Sequence, residues 1–317
     1  MNKPKLVIMI GISASGKSTI AKQIVEKNKI LNYIIVSSDA IRGEICEGGV
    51  SDQSKNEEVF KIFHMRIKEN LLKGNNVIAD ATNITMKSRR AIFDAVRNID
   101  CEKIGYLVVK SIEDCIKDNK NDDRVAVPDE VIYKQISKFQ IPFKEEGFND
   151  ISFIISSTYQ KVENYFFKVV NDMEGFNQLN PHHNQTLDEH CNFVYKNFCK
   201  KYDYPYSYKL AAMVHDYGKL FVQSFDEDGI AHYYSHENYG TYILLSNYFN
   251  LYFDETLSDI EETLDFLFLI NYHMFPMNWN TEKSKEKWRK IFGNYRYQLL
   301  VDFNKCDKAR PETSETR

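Results

Sequence analysis

The chain has 317 residues, 43% of them hydrophobic and 27% charged, with a formal net charge of −4. That length exceeds the ~250–300 residues at which single cores split, so two domains are expected, and 13 Gly and 7 Pro exclude collagen-like or disordered composition. No run reaches the ~18–20 apolar residues of a bilayer span, and the near-neutral charge argues against a protein that coats long duplexes, while leaving room for one that captures strand ends. Six cysteines (46, 101, 115, 191, 199 and 306) lack any CxxC pair. A reducing cytoplasm is the expected location, without a disulfide scaffold, zinc ribbon or membrane partner.

The first expected element is a buried strand over Leu6–Ile10, too short and too poor in small residues to read as a signal peptide. It runs into Gly11-Ile12-Ser13-Ala14-Ser15-Gly16-Lys17-Ser18, a GxxxxGKS phosphate loop that opens a helix. In that context glycines let backbone N–H groups close on phosphates, and the helix dipole favours their charge. Gly11, Ser13, Ala14, Ser15, Gly16, Lys17, Ser18 and Thr19 are the expected nucleotide contacts. Lys17 would reach the β/γ-phosphates and Ser18 would bind Mg²⁺, so ATP or another NTP with Mg²⁺ is the expected cofactor.

Further β-branched runs at Tyr33–Val36, Val77–Ala79, Ile104–Val109 and Ile151–Ile155 alternate with helical patterns over 53–73 and 128–140. Such alternation predicts a mostly parallel sheet with helices on both faces. The second strand ends in Ser37-Ser38-Asp39-Ala40-Ile41-Arg42 and the third in Asp80-Ala81-Thr82-Asn83. Carboxyl ends of parallel strands converge on one crevice, so Asp39, Arg42, Asp80 and Asn83 should face the phosphate loop and the acceptor. Asp39 could accept the proton of an attacking hydroxyl and Arg42 could hold an acceptor phosphate. Asp80 would either orient Arg42 or sit near the metal. The competing reading makes Asp39 and Asp80 helix caps.

Beyond about residue 175 the alternating pattern stops, and seven of the eight histidines lie between 182 and 273. Thr186 and Glu189 form a capping box ahead of the stripe Leu187, Cys191, Val194 and Phe198, with His190 beside it. Helices are expected near 206–217, 236–250, 257–273, 282–292 and 294–309, with Gly218 suited to a helix C-terminus. His190, the pair His215–Asp216, and Asp307 make one set of ligands for Mn²⁺, Fe²⁺, Co²⁺, Ni²⁺ or Zn²⁺. His236 and His273 could add a second ion. Asp302 is the alternative to Asp307 on the same helix. A lone histidine such as His64 is ordinarily a satisfied core or surface residue.

The phosphate loop, the SSDxxR segment, Val50–Gln53, the DATN segment and Val127-Pro128…Pro142…Glu146-Gly147-Phe148 resemble the kinase module of polynucleotide 5′-kinases over about residues 5–155. The resemblance implies an α/β P-loop kinase domain (1–170) with Asp39 as general base, Arg42 as acceptor clamp and a cationic lid. Here the lid reads Asp118-Asn119-Lys120-Asn121-Asp122-Asp123-Arg124, with Arg124 as its single arginine and Lys120 as a further point charge. Past a linker at 171–181, residues 182–317 resemble the all-α HD phosphohydrolase domain fused to some bacterial tRNA nucleotidyltransferases. The matching stretches are Asn180–His183, Thr186…His190, His215–Lys219, Asp228–His232, Ser235–Glu237 and Asp307-Lys308. That resemblance implies metal-dependent hydrolysis of 2′,3′-cyclic or 2′-phosphates, with Lys219, His232 and His183 on the substrate side.

Together the two halves imply an enzyme that heals RNA or DNA strand ends, phosphorylating a 5′-OH and hydrolysing a 2′,3′-cyclic or 2′-phosphate, with a separate RNA ligase as a partner. The alternatives are an HD nucleotide phosphohydrolase joined to a small-metabolite kinase, or to an ATP-binding regulatory domain.

Overall fold

The computed structural model describes residues 3–121, 126–157, 161–181, 185–253 and 257–310. The chain forms two compact units, Met1–Thr158 and Tyr159–Arg317. In the N-terminal unit the elements run β1 (Lys5–Ile10), α1 (Lys17–Lys27), β2 (Tyr33–Ser37), α2 (Ser38–Ile45), α3 (Asn56–Leu72), β3 (Asn76–Asp80), α4 (Met86–Ala95), β4 (Glu102–Val109), α5 (Ile112–Asn121), α6 (Asp129–Ile136) and β5 (Asp150–Ile155). The sheet order is β2-β3-β1-β4-β5, and every pairing is parallel. All five strands expected from the apolar runs are present.

Leu6 to Ile10 are buried on consecutive positions, so both faces of β1 are covered, as in a parallel sheet clothed by helices. Val7, Met9, Ile78 and Val108 form one core layer, against which Ile20 and Ile24 of α1 pack. The step from β1 to β2 runs opposite to that from β2 to β3, so right-handed crossovers put α1 and α3 on opposite faces. The connections leaving β1 and β3 therefore diverge, which opens a crevice at the carboxyl ends of these neighbours. This parallel five-strand sheet with flanking helices fits a P-loop kinase fold.

The C-terminal unit is helical: α7 (Tyr165–Asp172), α8 (Leu187–Lys201), α9 (Tyr206–Val214), α10 (Lys219–Val222), α11 (His236–Ser246), α12 (Tyr248–Phe253), α13 (Ile260–Tyr272) and α14 (Glu282–Asp307). A two-stranded hairpin, β6 (Ser224–Phe225) and β7 (Ala231–His232), lies between α10 and α11. α13 is buried on nearly every position from Thr263 to Tyr272, which makes it the central helix, packed on α9 and α11. The capping box at Thr186 and Glu189 forms at the start of α8. Gly293, at φ 72 and ψ 165, breaks α14 in the middle, which accounts for the two separate periodic stretches in its sequence. No helix among the described residues is long and apolar enough to cross a membrane.

The units divide between Thr158 and Tyr159, ahead of the 171–181 linker expected from sequence. The buried face of α7, carrying Tyr165, Phe166 and Val169, packs on α9 and α12 and so joins the helical unit. Gly218 also differs from expectation. Its φ of −60° is right-handed, and its need for glycine comes from packing: a Cβ there would lie 1.9 Å from His236 O and 2.7 Å from Gly240 N.

Candidate functional sites

The phosphate loop joins β1 to α1. Ala14 at φ 63 and Gly16 at φ 92 are left-handed on either side of Ser15, a backbone alternation of the kind that gathers N–H groups into an anion-binding concavity. Gly11 is required by close approach, because a Cβ would meet Val108 O at 2.7 Å and Ser15 Oγ at 2.8 Å. Lys17 Nζ donates to Ile12 O at 2.6 Å and curls over the loop.

Ser18 Oγ donates to Asp80 Oδ2 at 2.8 Å, joining the start of α1 to the end of β3. Burial pushes the Asp80 carboxyl above its ordinary range, with the Ser18 bond and Lys17 opposing and Asp39 adding to the rise. A carboxylate and a hydroxyl so placed are hard oxygen ligands of the kind Mg²⁺ prefers. Asp39 is exposed in the first turn of α2. The cap there is Ser37, whose Oγ accepts from Ala40 N at 3.4 Å, and the cap of α4 is Thr85. Neither Asp39 nor Asp80 serves as a helix cap.

Two of the acceptor-side residues are placed otherwise than expected. Arg42 is 4% exposed, and its fork reaches Asp52 O at 3.1 Å and Asn56 Oδ1 at 2.9 Å, so Asp80 orients Ser18 and not Arg42. Asn83 is turned inward. Its Nδ2 donates to Met9 O at 2.9 Å, tying the exit of β3 to β1. The buried pair of Arg89 with Glu146 (2.7 Å) braces the same turn, since Arg89 Nη1 donates to Asn83 O at 3.1 Å. This explains the Glu146 of the sequence motif as a structural residue. In the lid, Lys120 pairs with Asp129 at 2.8 Å; Arg124 lies outside the described residues.

In the helical unit one carboxylate organises the site. Asp216 Oδ1 lies 3.0 Å from His236 Nε2 and 3.5 Å from His273 Nε2. Its Oδ2 lies 3.6 Å from His190 Nε2 and 3.4 Å from His215 Nε2. Asp307 Oδ1 completes the second group, 3.1 Å from His190 Nε2 and 3.4 Å from His215 Nε2. Asp216 thus gathers with five other side chains, from α8, α11, the last residue of α14 and the residues just past α9 and α13. The near contact of Gly218 with Gly240 lets the His215–Lys219 turn approach α11 closely enough to bring Asp216 to His236.

The rings are oriented for a cation. Nδ1 of His215, His236 and His273 lies 3.0, 2.8 and 2.7 Å from the carbonyls of Ala212, Tyr233 and Ile270. A carbonyl can only accept, so Nδ1 carries the hydrogen, and Nε2 of each ring faces inward, with a free lone pair whenever the ring is neutral. His215 Nε2 is buried without a hydrogen-bond partner. Burial opposes charge on His215, yet Asp216, Cys191 and Asp307 outweigh it and raise its affinity for a proton well above that of an ordinary imidazole. Burial likewise opposes ionisation of Asp216, but Lys219 and His215 hold it well below the usual carboxylate range. The groups therefore draw in positive charge, and imidazole with carboxylate is the donor set of a divalent transition metal.

Lys219 Nζ sits 2.7 Å from Asp216 Oδ2. Asp302, the alternative to Asp307, is held by Tyr204, Gln298 and Lys305 away from the rings. His232 pairs with Asp226 at 2.9 Å, and His183 lies outside the described residues. His64 packs on Phe60 and Phe63 as an ordinary helix-face histidine.

Residues 6–142 match the family model described as an AAA domain. The match falls within the N-terminal unit and covers less than half of the chain. No curated protein matches. Among solved structures, a chain of the Pnkp1/Rnl/Hen1 RNA repair complex is 24% identical, with a TM-score of 0.39 over 44% of this chain and 44% of that one. The present chain thus spans less than half the length of that relative. A fungal RNA kinase is 15% identical, with a TM-score of 0.36 over 55% of this chain and 44% of that one. A gluconokinase from Sinorhizobium meliloti 1021 is 14% identical, with a TM-score of 0.35 over 50% of this chain and 86% of that one.

Sequence reasoning missed several supporting residues. Gln135 of α6 clamps the phosphate loop, accepting from Ser13 N at 2.6 Å and donating to Ser13 Oγ at 2.9 Å. Ser156 Oγ donates to Ser15 O at 2.6 Å. Gln178, fully buried, accepts from Lys219 Nζ at 2.8 Å. These contacts join residues 122, 141 and 41 positions apart, and no local spacing announces them.

Proposed function

We propose that the chain is a bifunctional enzyme that heals RNA or DNA strand ends, phosphorylating a 5′-OH with ATP and hydrolysing a 2′,3′-cyclic or 2′-phosphate. The observation that carries the second activity is Asp216, whose two oxygens are shared between His236/His273 and His190/His215. For the first, the support is Ser18 bonded to Asp80 with the exposed Asp39 nearby.

In the kinase half the 5′-hydroxyl oxygen attacks the γ-phosphorus, its proton passes to Asp39, and the bond to the β-phosphate breaks to release ADP. Lys17 follows the charge of the transferring group. In the helical half, His190, His215, Asp216 and Asp307, with His236 and His273, would hold one or two ions among Mn²⁺, Ni²⁺, Co²⁺, Fe²⁺ and Zn²⁺. Such ions supply Lewis-acid polarisation and acidify bound water. Lys219 offers its ammonium to the phosphate oxygens, steadied by Gln178, and the buried walls keep these charges strong. Water adds to phosphorus and one ester oxygen leaves as the hydroxyl.

Arg42, with its fork on Asp52 and Asn56, favours a second reading of the N-terminal unit, in which the acceptor is a small hydroxylated metabolite without a phosphate. Transfer of labelled γ-phosphate to a 5′-OH oligonucleotide, to nucleoside 3′-phosphates and to sugars separates the two. The end-healing reading expects the oligonucleotide to be preferred, and preference for a sugar would sink it. An Asp39→Ala protein that keeps full transfer would remove the proposed base.

A further inference from the structure

We propose that the stacked rings of His232 and Tyr234 form a subsite for the terminal nucleobase of a single-stranded end, beside the Asp216 cluster. The inference rests on the phosphohydrolase reading above and names what part of the substrate that site grips besides the phosphate.

The hairpin β6–β7 supplies the rings on a rigid support. Its turn is closed by Asp226, whose Oδ1 accepts from Asp228 N at 3.1 Å and Ile230 N at 2.9 Å, with Gly229 at φ 75. Asp226 Oδ2 also holds His232 Nε2 at 2.9 Å, fixing that ring by its edge. Tyr234 lies in the turn two residues past the end of β7. That turn folds its ring onto His232, with centroids 5.4 Å apart and planes within 5°. Tyr233 points the other way: its hydroxyl donates to Gln178 O at 2.6 Å, and Lys219 Nζ lies 5.5 Å from its ring centroid.

The platform hangs from the metal-binding cluster itself. The carbonyl of Tyr233, in the peptide that leads into Tyr234, lies 2.8 Å from His236 Nδ1, and Nε2 of the same ring lies 3.0 Å from Asp216 Oδ1. Ser235, at φ 63, makes the sharp turn from Tyr234 into α11. One ring in isolation on a surface is ordinary. Here one face of Tyr234 is taken by His232 while the residue is 74% exposed, so the stack ends on an open aromatic face at the rim of a phosphate-handling site. Bases of unpaired strands stack on such faces whatever their identity. The hydroxyls of a sugar present no comparable π-face. The ligand class is a nucleotide at an unpaired 3′ end, its phosphate towards Lys219 and its base over Tyr234.

The test is equilibrium binding of the full chain, in EDTA so that nothing is cleaved, to a 5′-labelled trinucleotide ending in a 2′,3′-cyclic phosphate. A counterpart lacking only the terminal base is the control. Tyr234→Ala should weaken binding of the complete probe about tenfold, leave the abasic probe unchanged, and keep the melting temperature. Tyr234→Trp should restore the affinity. Equal affinity of intact and Tyr234→Ala proteins for the complete probe, an equal loss on both probes, or binding of neither probe by the intact chain would overturn the subsite. Opening of the abasic probe with Mn²⁺ or Ni²⁺ separates the two failures. If it opens while Tyr234 makes no difference, only the subsite falls. If it never opens, the phosphohydrolase reading falls with it.

Discussion

His236 Nε2 and His273 Nε2 face each other at 3.2 Å, while Nδ1 of each ring is committed to a backbone carbonyl. With both rings neutral, two lone pairs meet in a buried place and repel unless a cation lies between the rings and Asp216. Adding Mn²⁺, Co²⁺, Ni²⁺ or Zn²⁺ to chelator-treated protein should therefore raise its melting temperature. A ligand that binds only the folded state stabilises it by about 2.7 kcal/mol at a hundredfold excess over Kd. His273→Ala should lose most of that rise, as read by thermal unfolding. Absence of a rise with every one of these ions would contradict the metal assignment.

Asp80 carries a cost that its neighbours do not remove. Burial raises its folded-state affinity for a proton, so the unfolded chain ionises it first. Below the unfolded value of about 4 both states are protonated and the group is neutral in stability. As pH rises from there through the folded value, the buried carboxylate costs stability, and the cost stays at pH 7. Nucleotide-free, Mg²⁺-free Asp80→Asn should therefore unfold at a higher temperature than the parent at pH 7, with the gap closing towards pH 4. The same change should abolish phosphoryl transfer.

Gly218→Ala should damage the helical unit without altering any side chain of the Asp216 cluster. Its Cβ would fall 1.9 Å from His236 O, so the turn must part from α11. Overpacking of this kind costs about 1–3 kcal/mol, and it separates Asp216 from His236. Both a lowered melting temperature and a lost metal response are expected in thermal unfolding with and without Mn²⁺.

Gln178 accepts from the same Lys219 ammonium that pairs with Asp216, and its own Nε2 is fixed on Gln185 O at 3.2 Å. Gln178→Ala should lower kcat for phosphoester hydrolysis about 10- to 100-fold, the usual scale for an outer partner of a metal site. Metal-induced stabilisation should persist, because Gln178 is not among the ligand side chains. Loss of both together would make it a residue of folding alone.

Much of the fold was legible because it is written in local pattern. Runs of β-branched residues between helical periods mark the five strands, and GxxxxGKS between a strand and a helix marks the phosphate loop. The six side chains that gather at Asp216 could be grouped from sequence because histidines are rare in this chain and sit on or beside apolar stripes, as His190 does on α8. What failed to show depended on contacts made far along the chain. Asn83 looked like an acceptor contact and is instead spent on Met9 O, 74 residues away. Arg42 is spent on Asp52 and Asn56. The strands of the β6–β7 hairpin have two residues each, too few for any alternation to register. Gly218 resembled a helix stop because the sequence cannot reveal that Gly240 would pack against it.

One chain is proposed to carry two independent phosphate chemistries. A single RNA bearing a 5′-OH and a 2′,3′-cyclic phosphate, incubated with ATP, Mg²⁺ and Mn²⁺ or Ni²⁺ and weighed by mass spectrometry, tests it most directly. Phosphate should appear at the 5′ end and the cyclic phosphate should open or leave. Asp39→Ala should lose only the first change and His215→Ala/Asp216→Ala only the second. RNA returned unchanged at both ends, with small nucleotides hydrolysed instead, would contradict the account.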